Sequence, residues 1–305
     1  MAGDTLGTLR EIIDEKRIFL DEPMSRHTTF GVGGNADVLV KPVNASEIQA
    51  ILQWCGKQGL SYYVIGNGSN LLVGDKGIRG VVIQIGNEFS QLEIRDHNTI
   101  WVQAGCMLSK VANLAMKEGL TGMEFASGIP GTIGGAVMMN AGAYGGEMKD
   151  IIDCVTLLTP DGEILVLSQA QMKFGYRSSI VSEKDYIVLE VCLQLQSGNS
   201  QTIAEQMREL NEARREKQPL EYPSAGSTFK RPEGYFAGKL IQDAGLAGYR
   251  IGDAQVSEKH CGFVINRGQA TAKDIEAVIQ EVIARVQEQF QVTLEPEVKK
   301  IGEFL

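Results

Sequence analysis

Glycine density over residues 128–146 constrains this chain more than any other feature of its sequence. That stretch contains seven glycines and one proline, interleaved with apolar residues. Glycine adopts φ > 0 without strain, and it lets main-chain N–H groups come close to a bound anion. A backbone of this composition turns sharply and packs closely against a bulky neighbour. The stretch therefore predicts a ligand-binding loop rather than a series of ordinary turns.

A second loop of similar character follows a short apolar segment. Residues 66–71 read Gly-Asn-Gly-Ser-Asn-Leu. Two such loops predict a long ligand with a pyrophosphate in its middle, which is typical of a dinucleotide. The Rossmann fingerprint G-x-G-x-x-G is not met, because Leu71 occupies the place of the third glycine. The glycines of residues 31–34 precede a predicted strand instead of following one. We therefore expect a dinucleotide site of a non-Rossmann type.

Composition and charge exclude several classes of protein. The chain has 305 residues, and its formal net charge of −9 argues against a nucleic-acid or anionic-membrane surface. No apolar run approaches the roughly 18 residues of a membrane span, so no membrane insertion is predicted. We expect a cytoplasmic enzyme that acts on a small molecule, with no obligate protein partner. Because the chain as a whole is negatively charged, an anionic ligand must be held by groups that lie close to it.

The cysteines and histidines show the pattern of neither a disulfide framework nor a metal site. Five cysteines are scattered along the chain without C-x-x-C spacing, at positions 55, 106, 154, 192 and 261. They are expected to be reduced, mostly buried thiols. The three histidines, at positions 27, 97 and 260, lack the spacing of metal ligands, so no metal is predicted.

The predicted elements divide the chain into three parts and indicate an α+β fold. Residues 1–90 combine strands with a helix that begins at Ser46, where Gln49 completes a capping box. Residues 91–218 hold further strands, a hairpin around 152–167 and a charged helix that stops at Pro219. Residues 219–305 form a separate small α+β domain.

Five motifs occur in one order along the chain. They are Asn-Gly-Ser-Asn at 67–70, the glycine-rich run Ile-Pro-Gly-Thr-Ile-Gly-Gly that begins at 129, Tyr-Arg-Ser at 176–178, Gly-Ser-Thr-Phe-Lys at 226–230 and Leu-Glu-Pro-Glu at 294–297. Together they closely resemble the UDP-N-acetylenolpyruvoylglucosamine reductases, flavoenzymes that complete UDP-N-acetylmuramic acid in bacterial cell-wall synthesis. The resemblance covers nearly the whole chain, and the three later motifs separate this family from other flavoproteins.

This resemblance implies a two-lobed FAD-binding region of the vanillyl-alcohol-oxidase type and a small α+β substrate domain. Residues 1–90 and 91–218 would be the two FAD-binding lobes, and residues 219–305 the substrate-binding domain. FAD would be held non-covalently, and NADPH would be the hydride donor. The residues that the resemblance assigns to FAD are Gly66, Asn67, Gly68, Ser69, Asn70, Leu71, Ile129, Pro130, Gly131, Thr132, Gly134, Gly135, Asn140 and Gly142.

The resemblance also assigns three catalytic residues. Arg177 would grip the substrate carboxylate at two points and stabilise its enolate form. Ser227 would give a proton to the carbanion-like carbon, and Glu297 would donate to the developing enolate if burial raises its pKa. Glu295 is expected on the same face of an extended strand as Glu297. Only the Glu-Pro-Glu pattern of the family favours Glu297, and the residues alone leave the choice open.

Three further residues are assigned by the resemblance to the UDP-sugar substrate: Tyr176, Lys217 and Lys230. Lys217 matches a lysine that contacts the nucleotide diphosphate, although a solvated helix end explains its position as well. Arg231 stands where some relatives carry Asn. The spacing between Arg177 and Ser227 resembles the shorter branch of the family, which lacks an added tyrosine-bearing lid. The group that covers the substrate stays open.

Two other functions remain as alternatives. A related FAD-dependent oxidase of sugars or lactones would share both glycine loops but lack the catalytic Arg, Ser and Glu. Such oxidases often tether the flavin through a His or Cys near the first loop, and neither residue type occurs between positions 56 and 96. A non-catalytic nucleotide-binding protein would have no reason to carry the three later motifs.

Overall fold

Strands and helices alternate along two separate units of the chain. The computed structural model describes residues 3–304, with side chains described from residue 6 onwards. The first unit comprises Met1–Phe19, Val38–Asn67 and Val81–Arg214, and the second comprises Leu20–Asp37, Gly68–Gly80 and Arg215–Leu305. The expected mixture of helices and strands is confirmed. The lobe boundaries at residues 90 and 218 stay a prediction.

The helices and strands follow one another in a mixed order. The helices are α1 (Gly3–Ile12), α2 (Ala45–Gln58), α3 (Leu108–Lys117), α4 (Ile133–Met138), α5 (Ile180–Lys184), α6 (Ser200–Lys217), α7 (Ala237–Asp243) and α8 (Ala272–Phe290). The strands are β1 (Ile18–Pro23), β2 (Asn35–Val40), β3 (Tyr62–Ile65), β4 (Leu71–Val73), β5 (Ile78–Gln84), β6 (Leu92–Arg95), β7 (Thr99–Gln103), β8 (Leu120–Thr121), β9 (Gly142–Ala143), β10 (Gly146–Glu147), β11 (Ile152–Leu158), β12 (Ile164–Ser168), β13 (Ile187–Gln194), β14 (Gln196–Ser197), β15 (Arg250–Ile251), β16 (Ala254–Val256), β17 (Val264–Asn266) and β18 (Lys299–Ile301).

Most strands belong to three sheets. The largest is antiparallel, with the order β12-β11-β13-β7-β6. A four-stranded sheet has the order β1-β2-β5-β3, in which β3 and β5 run parallel. A three-stranded antiparallel sheet, β15-β16-β17, lies in the second unit, where β18 also pairs in parallel with β4. Two short ladders, β9 with β10 and β8 with β14, complete the first unit.

Helix α2 shows how local sequence sets an element's limits. Its N-cap is Asn44, whose side-chain oxygen accepts a hydrogen bond from the Glu47 N–H at 2.8 Å. The expected cap at Ser46 is therefore wrong, because the cap lies two residues earlier and Ser46 lies inside the helix. The helix ends at Gly59, whose φ of 64° is a left-handed conformation that glycine adopts easily.

Each unit has its own apolar core. In the first, Ile48 and Ile51 of α2 and Val111 of α3 pack with strand residues such as Val155 and Val191. In the second, Ile275 and Val282 of α8 pack with Ile241 of α7 and Val264 of β17, among other residues. Among residues 3–304, no helix combines the length and apolarity needed to cross a membrane.

Asp75 joins two distant segments of the second unit. Its carboxylate oxygens accept hydrogen bonds from the N–H groups of Ala272 at 2.8 Å and Lys273 at 2.9 Å, in the first turn of α8. A negative charge at a helix N-terminus also interacts favourably with the helix dipole. In the same unit, a Cβ on Gly34 would lie 2.2 Å from the Asp75 carbonyl oxygen. Packing alone therefore requires glycine at position 34.

Replacing Asp75 by Ala should lower the free energy of unfolding by about 1–2 kcal/mol, because two helix N–H groups lose a charged acceptor. Urea unfolding followed by circular dichroism measures the change. Glu288→Gln, on an exposed position of the same helix, is the control and should leave the transition unchanged. Equal transitions for Asp75→Ala and the wild type would show that water replaces the carboxylate at no cost.

Candidate active site

The second glycine loop is tied to the end of strand β7 by main-chain hydrogen bonds. The N–H of Gly134 donates to the carbonyl of Ala104 at 2.8 Å, and the N–H of Leu108 donates to the carbonyl of Gly131 at 3.0 Å. Thr132 is the N-cap of α4. A Cβ on Gly134 would lie 3.0 Å from the Cβ of Ala104. A side chain at position 134 would therefore require the loop or Ala104 to shift.

The beginning of the first loop contacts the second loop within the first unit. The Asn67 Nδ2 donates to the carbonyl of Pro130 at 2.9 Å. A Cβ on Gly66 would lie only 2.4 Å from the Thr132 Oγ1. The Gln84 Nε2 donates to the Gly66 carbonyl at 3.3 Å, while the buried Oε1 of Gln84 has no hydrogen-bond partner in the described part of the chain. The two loops predicted from their glycines are thus brought together here.

The remainder of the first loop belongs to the second unit. The Gly68 carbonyl accepts a hydrogen bond from the Thr29 N–H at 3.3 Å, and a Cβ on Gly68 would lie 2.0 Å from the His27 carbonyl oxygen. The Asn70 Nδ2 donates to the carbonyl of Glu297 at 3.2 Å. A predicted cofactor residue and a predicted catalytic residue are therefore neighbours in this unit.

The chemistry of both loops fits a dinucleotide pyrophosphate. Protein donors bind carbonyl oxygens of the loops at Gly66, Gly68, Pro130 and Gly131. A loop whose carbonyls are bound in this way can present peptide N–H groups to an anion. In the second loop the N–H groups of Ile133, Gly134 and Gly135 already donate to protein acceptors, so this role falls mainly to the first loop. Residues 66–71 and 128–146 contain no acidic side chain that would repel a phosphate. The glycines and the charge distribution therefore agree with the predicted FAD.

Arg177 lies in a tight turn with an unusual backbone conformation. Gly175 and Ser178 form an antiparallel bridge, and Arg177 between them has a φ of 53°. Left-handed conformations cost energy for residues other than glycine and often mark functional positions. The guanidinium lies 5.3 Å from the centre of the Tyr176 ring, which is 53% exposed, and its Nη1 donates to the Gly142 carbonyl at 3.5 Å.

Asn140 holds the Arg177 turn against the second glycine loop. Its Nδ2 donates to the Glu147 carboxylate at 2.8 Å and to the Gly175 carbonyl at 3.0 Å, and its Oδ1 accepts from the Lys149 N–H at 3.0 Å. The Lys149 side chain also bonds to the Glu147 carboxylate, and this contact is the main cause of a lowered pKa for Glu147. The Asn140 carboxamide is thus engaged with protein groups, and its assignment to FAD stays a prediction.

Thr228 anchors the segment that carries Ser227. Its N–H donates to the Gly262 carbonyl at 2.8 Å, its Oγ1 accepts from the Val264 N–H at 2.9 Å, and its carbonyl accepts from the Glu297 N–H at 2.8 Å. Thr228 is fully buried, whereas Ser227 next to it is exposed. One buried residue therefore fixes an exposed hydroxyl and connects its segment to Glu297.

The pairing of residues 228–230 with residues 295–297 also gives the two candidate glutamates different surroundings. Lys230 donates its N–H to the Glu295 carbonyl at 2.8 Å, and its Nζ makes an ion pair with the Glu295 carboxylate at 3.0 Å. The Glu295 side chain is 70% exposed. Glu297, in the same extended stretch, is half-buried. The two carboxylates therefore have different surroundings.

A histidine that the sequence did not single out lies behind the Ser227 segment. The Nδ1 of His260 accepts a hydrogen bond from the Gly262 N–H at 3.1 Å, and the Gly262 carbonyl in turn holds Thr228. Burial lowers the pKa of His260 below its ordinary value of 6.5, so the ring is neutral at pH 7. Among the described residues, no cluster of three or more His, Cys, Asp or Glu side chains could hold a metal ion.

Two residues of helix α6 contact the start of the second glycine loop, and the sequence did not reveal them. Arg214 donates through Nη1 to the Gly128 carbonyl, and the Asn211 Nδ2 donates to the Ser127 hydroxyl at 3.2 Å. Burial lowers the pKa of Arg214. In the sequence both residues belong to a charged helix that looks fully solvated, so no local signal distinguishes them.

The assignments of the remaining predicted residues to cofactor or substrate stay predictions. Lys217 is the exposed last residue of α6 in the second unit. Leu71 pairs with Lys299 in the parallel ladder of β4 and β18. Gly135 donates its N–H weakly, at 3.5 Å, to the Thr132 Oγ1. Ile129 is partly buried against the core of the first unit, and Ser69 is half-buried.

Comparisons with known proteins agree with this arrangement. Residues 36–168 match the family model described as an FAD binding domain, and residues 218–301 match that of the UDP-N-acetylenolpyruvoylglucosamine reductase C-terminal domain. The UDP-N-acetylenolpyruvoylglucosamine reductase of Caldanaerobacter subterraneus subsp. tengcongensis is 51% identical over 303 residues, which cover 99% of this chain and all of the relative. The chain belongs to the UDP-N-acetylenolpyruvoylglucosamine reductase family.

Further members of this family are similar over nearly their full length. The reductase of Clostridioides difficile is 51% identical over 295 residues, with 97% of each chain covered. The crystal structure of the reductase from Thermus caldophilus has a TM-score of 0.78 and 38% identity, over 93% of this chain and 97% of that one. A double variant of Phl p 4 described as a glucose oxidase shares the FAD-binding fold alone, with a TM-score of 0.50, 16% identity and 64% of this chain covered against 44% of its own. The expected α+β class with a flavin-oxidase-type FAD-binding region is confirmed.

Replacing Thr228 by Val should lower the free energy of unfolding by about 1–3 kcal/mol, because the buried N–H of Val264 loses its acceptor while side-chain volume is kept. Urea unfolding measures the loss. Thr293→Val, at an exposed position of the same unit, is the control. An unchanged transition for Thr228→Val would mean that the Thr228 hydroxyl does not position the Ser227 segment.

Proposed function

We propose that this protein reduces the enolpyruvyl ether of UDP-N-acetylglucosamine to UDP-N-acetylmuramate, with NADPH as the reductant. One hydride and one proton add across the carbon–carbon double bond, and NADPH leaves as NADP⁺. The observation that carries this proposal is the set of Thr228 hydrogen bonds, which joins the Ser227 segment to the Glu297 segment in a chain 51% identical to a reductase of that name. The reaction would supply a precursor of peptidoglycan.

The two glycine loops are the proposed FAD site. When bound there, FAD supplies a two-electron carrier that accepts hydride from NADPH and returns it to the alkene. Residues 66–71 and 129–135 would line the cofactor, without a covalent bond to the flavin. The close contacts that a Cβ would make at Gly66 and Gly134 support this role, since they favour glycine at these two positions and let the backbone come close to a ligand there.

Arg177 is the proposed partner of the substrate carboxylate. A guanidinium presents parallel N–H donors that match a carboxylate at two points, and its charge does not depend on pH in the physiological range. Negative charge builds on this carboxylate and the adjacent carbon after hydride addition. A preorganised cation stabilises that charge without having to reorient during the reaction. The left-handed backbone at Arg177 supports a positional role of this kind.

Ser227 is the proposed proton donor, and Glu297 the proposed second acid. Ser227 would deliver a proton to the carbon beside the carboxylate once hydride has added. Glu297 would donate a hydrogen bond to the developing enolate, which requires that it keep its proton. The ion pair between Glu295 and Lys230 favours Glu297 for this task, because it already engages the Glu295 carboxylate at an exposed position.

The substrate's diphosphate requires cations, because the whole chain carries a net charge of −9. Lys217 and Lys230 are the proposed contacts, with Tyr176 beside Arg177 as a further substrate residue. A cytoplasmic location and the absence of a nucleic-acid or obligate protein partner belong to the same proposal. The oxidase alternative is less well supported, since it has no use for Ser227 and Glu297.

Gly134→Val should yield folded protein that lacks flavin, because the branched side chain would separate the second loop from Ala104. Gly68→Val should behave similarly, with strain added by its φ of 64°. The ratio of flavin to protein absorbance measures cofactor content, and circular dichroism reports folding. Gly56→Val in α2, where a Cβ meets no atom within 4 Å, is the matched control. Full flavin content in both loop variants would contradict the assignment.

Ser227→Ala should separate the two half-reactions. Flavin bleaching by NADPH should stay near the wild-type rate, because no proton from Ser227 is needed in that step. Reoxidation by the enolpyruvyl substrate should slow by at least about 10²–10⁴-fold, the usual contribution of a positioned proton donor. Anaerobic stopped-flow absorbance measures both rates. Ser227→Cys, which keeps a transferable proton, should recover part of the loss.

Three further variants sharpen this experiment. Arg177→Lys should also slow reoxidation, because a point charge cannot replace a planar two-point contact. Glu297→Gln should slow reoxidation much more than Glu295→Gln does. Ser61→Ala, at an exposed serine between α2 and β3, is the neutral control. Equal slowing of both half-reactions by Ser227→Ala would assign the serine to cofactor binding or folding and leave Glu297 as the proton donor.

A further inference from the structure

Two cysteines lie directly opposite each other in the large antiparallel sheet of the first unit. Cys154 of β11 is paired in register with Cys192 of β13. The same row continues to Ser168 of β12 on one side and to Trp101 of β7 on the other. Residues paired across an antiparallel sheet place their side chains on the same face. Both thiols therefore point to one side of the sheet, next to each other.

That side of the sheet is the one that solvent reaches. Val166, two positions from Ser168 on β12, is 63% exposed, whereas Val155 and Val191 of the neighbouring row are buried in the core. Cys154 and Cys192 are each half-buried. The other three cysteines, at positions 55, 106 and 261, are buried. A small reagent can therefore reach this pair of thiols more easily than the remaining ones.

The spacing of the pair suits a disulfide. Directly opposed residues of antiparallel strands have Cα atoms about 4.5 or 5.5 Å apart, depending on whether they form a hydrogen-bonded pair. Disulfides span Cα separations of about 4.4–6.8 Å. Either type of pair meets this requirement without a shift of register or backbone. Asp153 forms an irregularity in β11 directly before Cys154, which increases the local twist of the strand.

We propose that Cys154 and Cys192 form a dithiol site that low-molecular-weight disulfides oxidise to a cross-strand disulfide in the folded protein. In the first step one cysteine thiolate attacks the small disulfide, forming a mixed disulfide and releasing one small thiol. The second cysteine then loses its proton and attacks the protein sulfur of that mixed disulfide, which releases the second small thiol. Two protein thiols are oxidised, and one small disulfide is reduced to two thiols.

The surroundings of Cys154 bear on the rate of the reaction. Burial, and then the neighbouring Cys192 thiol, raise the pKa of Cys154 to about 12. The thiolate is the reactive form of cysteine, so a raised pKa lowers the fraction of Cys154 that can react at neutral pH. Oxidation is therefore expected to be slow and to need an excess of the small disulfide.

Oxidation should stabilise the first unit instead of disturbing it. The disulfide would close the segment 155–191 into a covalent loop, and such loops lower the entropy of the unfolded chain. Strands β11 and β13 are already paired at this position, so the native fold needs little adjustment. The oxidised protein should therefore unfold at a higher urea concentration than the reduced protein.

Incubation of the full-length holoprotein with excess oxidised glutathione tests the proposal. After quenching and denaturation, thiol titration should find two fewer thiols than the five in the sequence. Tryptic mapping by mass spectrometry should join the peptide containing Cys154 to the peptide containing Cys192, and dithiothreitol should restore both thiols. Unchanged thiol content, glutathione retained on either cysteine, or a link to another cysteine would overturn the proposal.

Variants distinguish the pair from general thiol oxidation. Cys154→Ser should accumulate a stable glutathione adduct at Cys192, because the second thiol, which would displace the glutathione, is missing. Cys192→Ser should form no internal disulfide, and Cys261→Ser should still form it. Oxidation should raise the urea midpoint of the wild type and of Cys261→Ser but not of Cys192→Ser. A midpoint that falls on oxidation would contradict the stabilising role, and if a serine variant does not fold, the wild-type peptide map alone decides.

Discussion

Close approach of one main chain to another is the constraint on which the candidate site depends. At Gly68 an added Cβ would lie 2.0 Å from the His27 carbonyl oxygen, a contact that no side chain tolerates. At Gly66 and Gly134 an added Cβ would lie 2.4 Å from the Thr132 Oγ1 and 3.0 Å from the Ala104 Cβ, so a side chain there would have to displace its neighbour. Packing therefore favours glycine at all three positions, where the backbone could also come close to a ligand.

Around Ser227 the organising element is a buried threonine. Thr228 uses its N–H, its hydroxyl and its carbonyl to hold three separate segments of the second unit together. An exposed serine beside it gains a defined position without being buried itself. Glu297 belongs to the same network through its N–H, and Asn70 reaches it from the first glycine loop. A flexible surface segment would not orient a hydroxyl well enough for proton transfer, and this frame removes that freedom.

Several elements could be predicted because their signals are local. The glycine at 59 ends α2, the Pro-Asp-Gly turn joins β11 to β12, and Thr271 begins α8 with a capping box, all from residues within a few positions. The N-cap of α2 was misassigned because Asn44 and Ser46 are both good caps, and only the structure shows which one the backbone uses. Arg214 was missed for a different reason: its contact with Gly128 joins residues far apart in sequence.

The sequence by itself determined the family, the fold class and the order of the motifs, because glycine spacing and short motifs are local properties of the chain. Only the tertiary structure decided how Glu295 differs from Glu297, since that difference rests on an ion pair with Lys230 and on burial. It alone also revealed Thr228 and His260 behind Ser227, and the register that sets Cys154 opposite Cys192. Each of these depends on pairing between distant segments, and a linear pattern carries no record of that pairing.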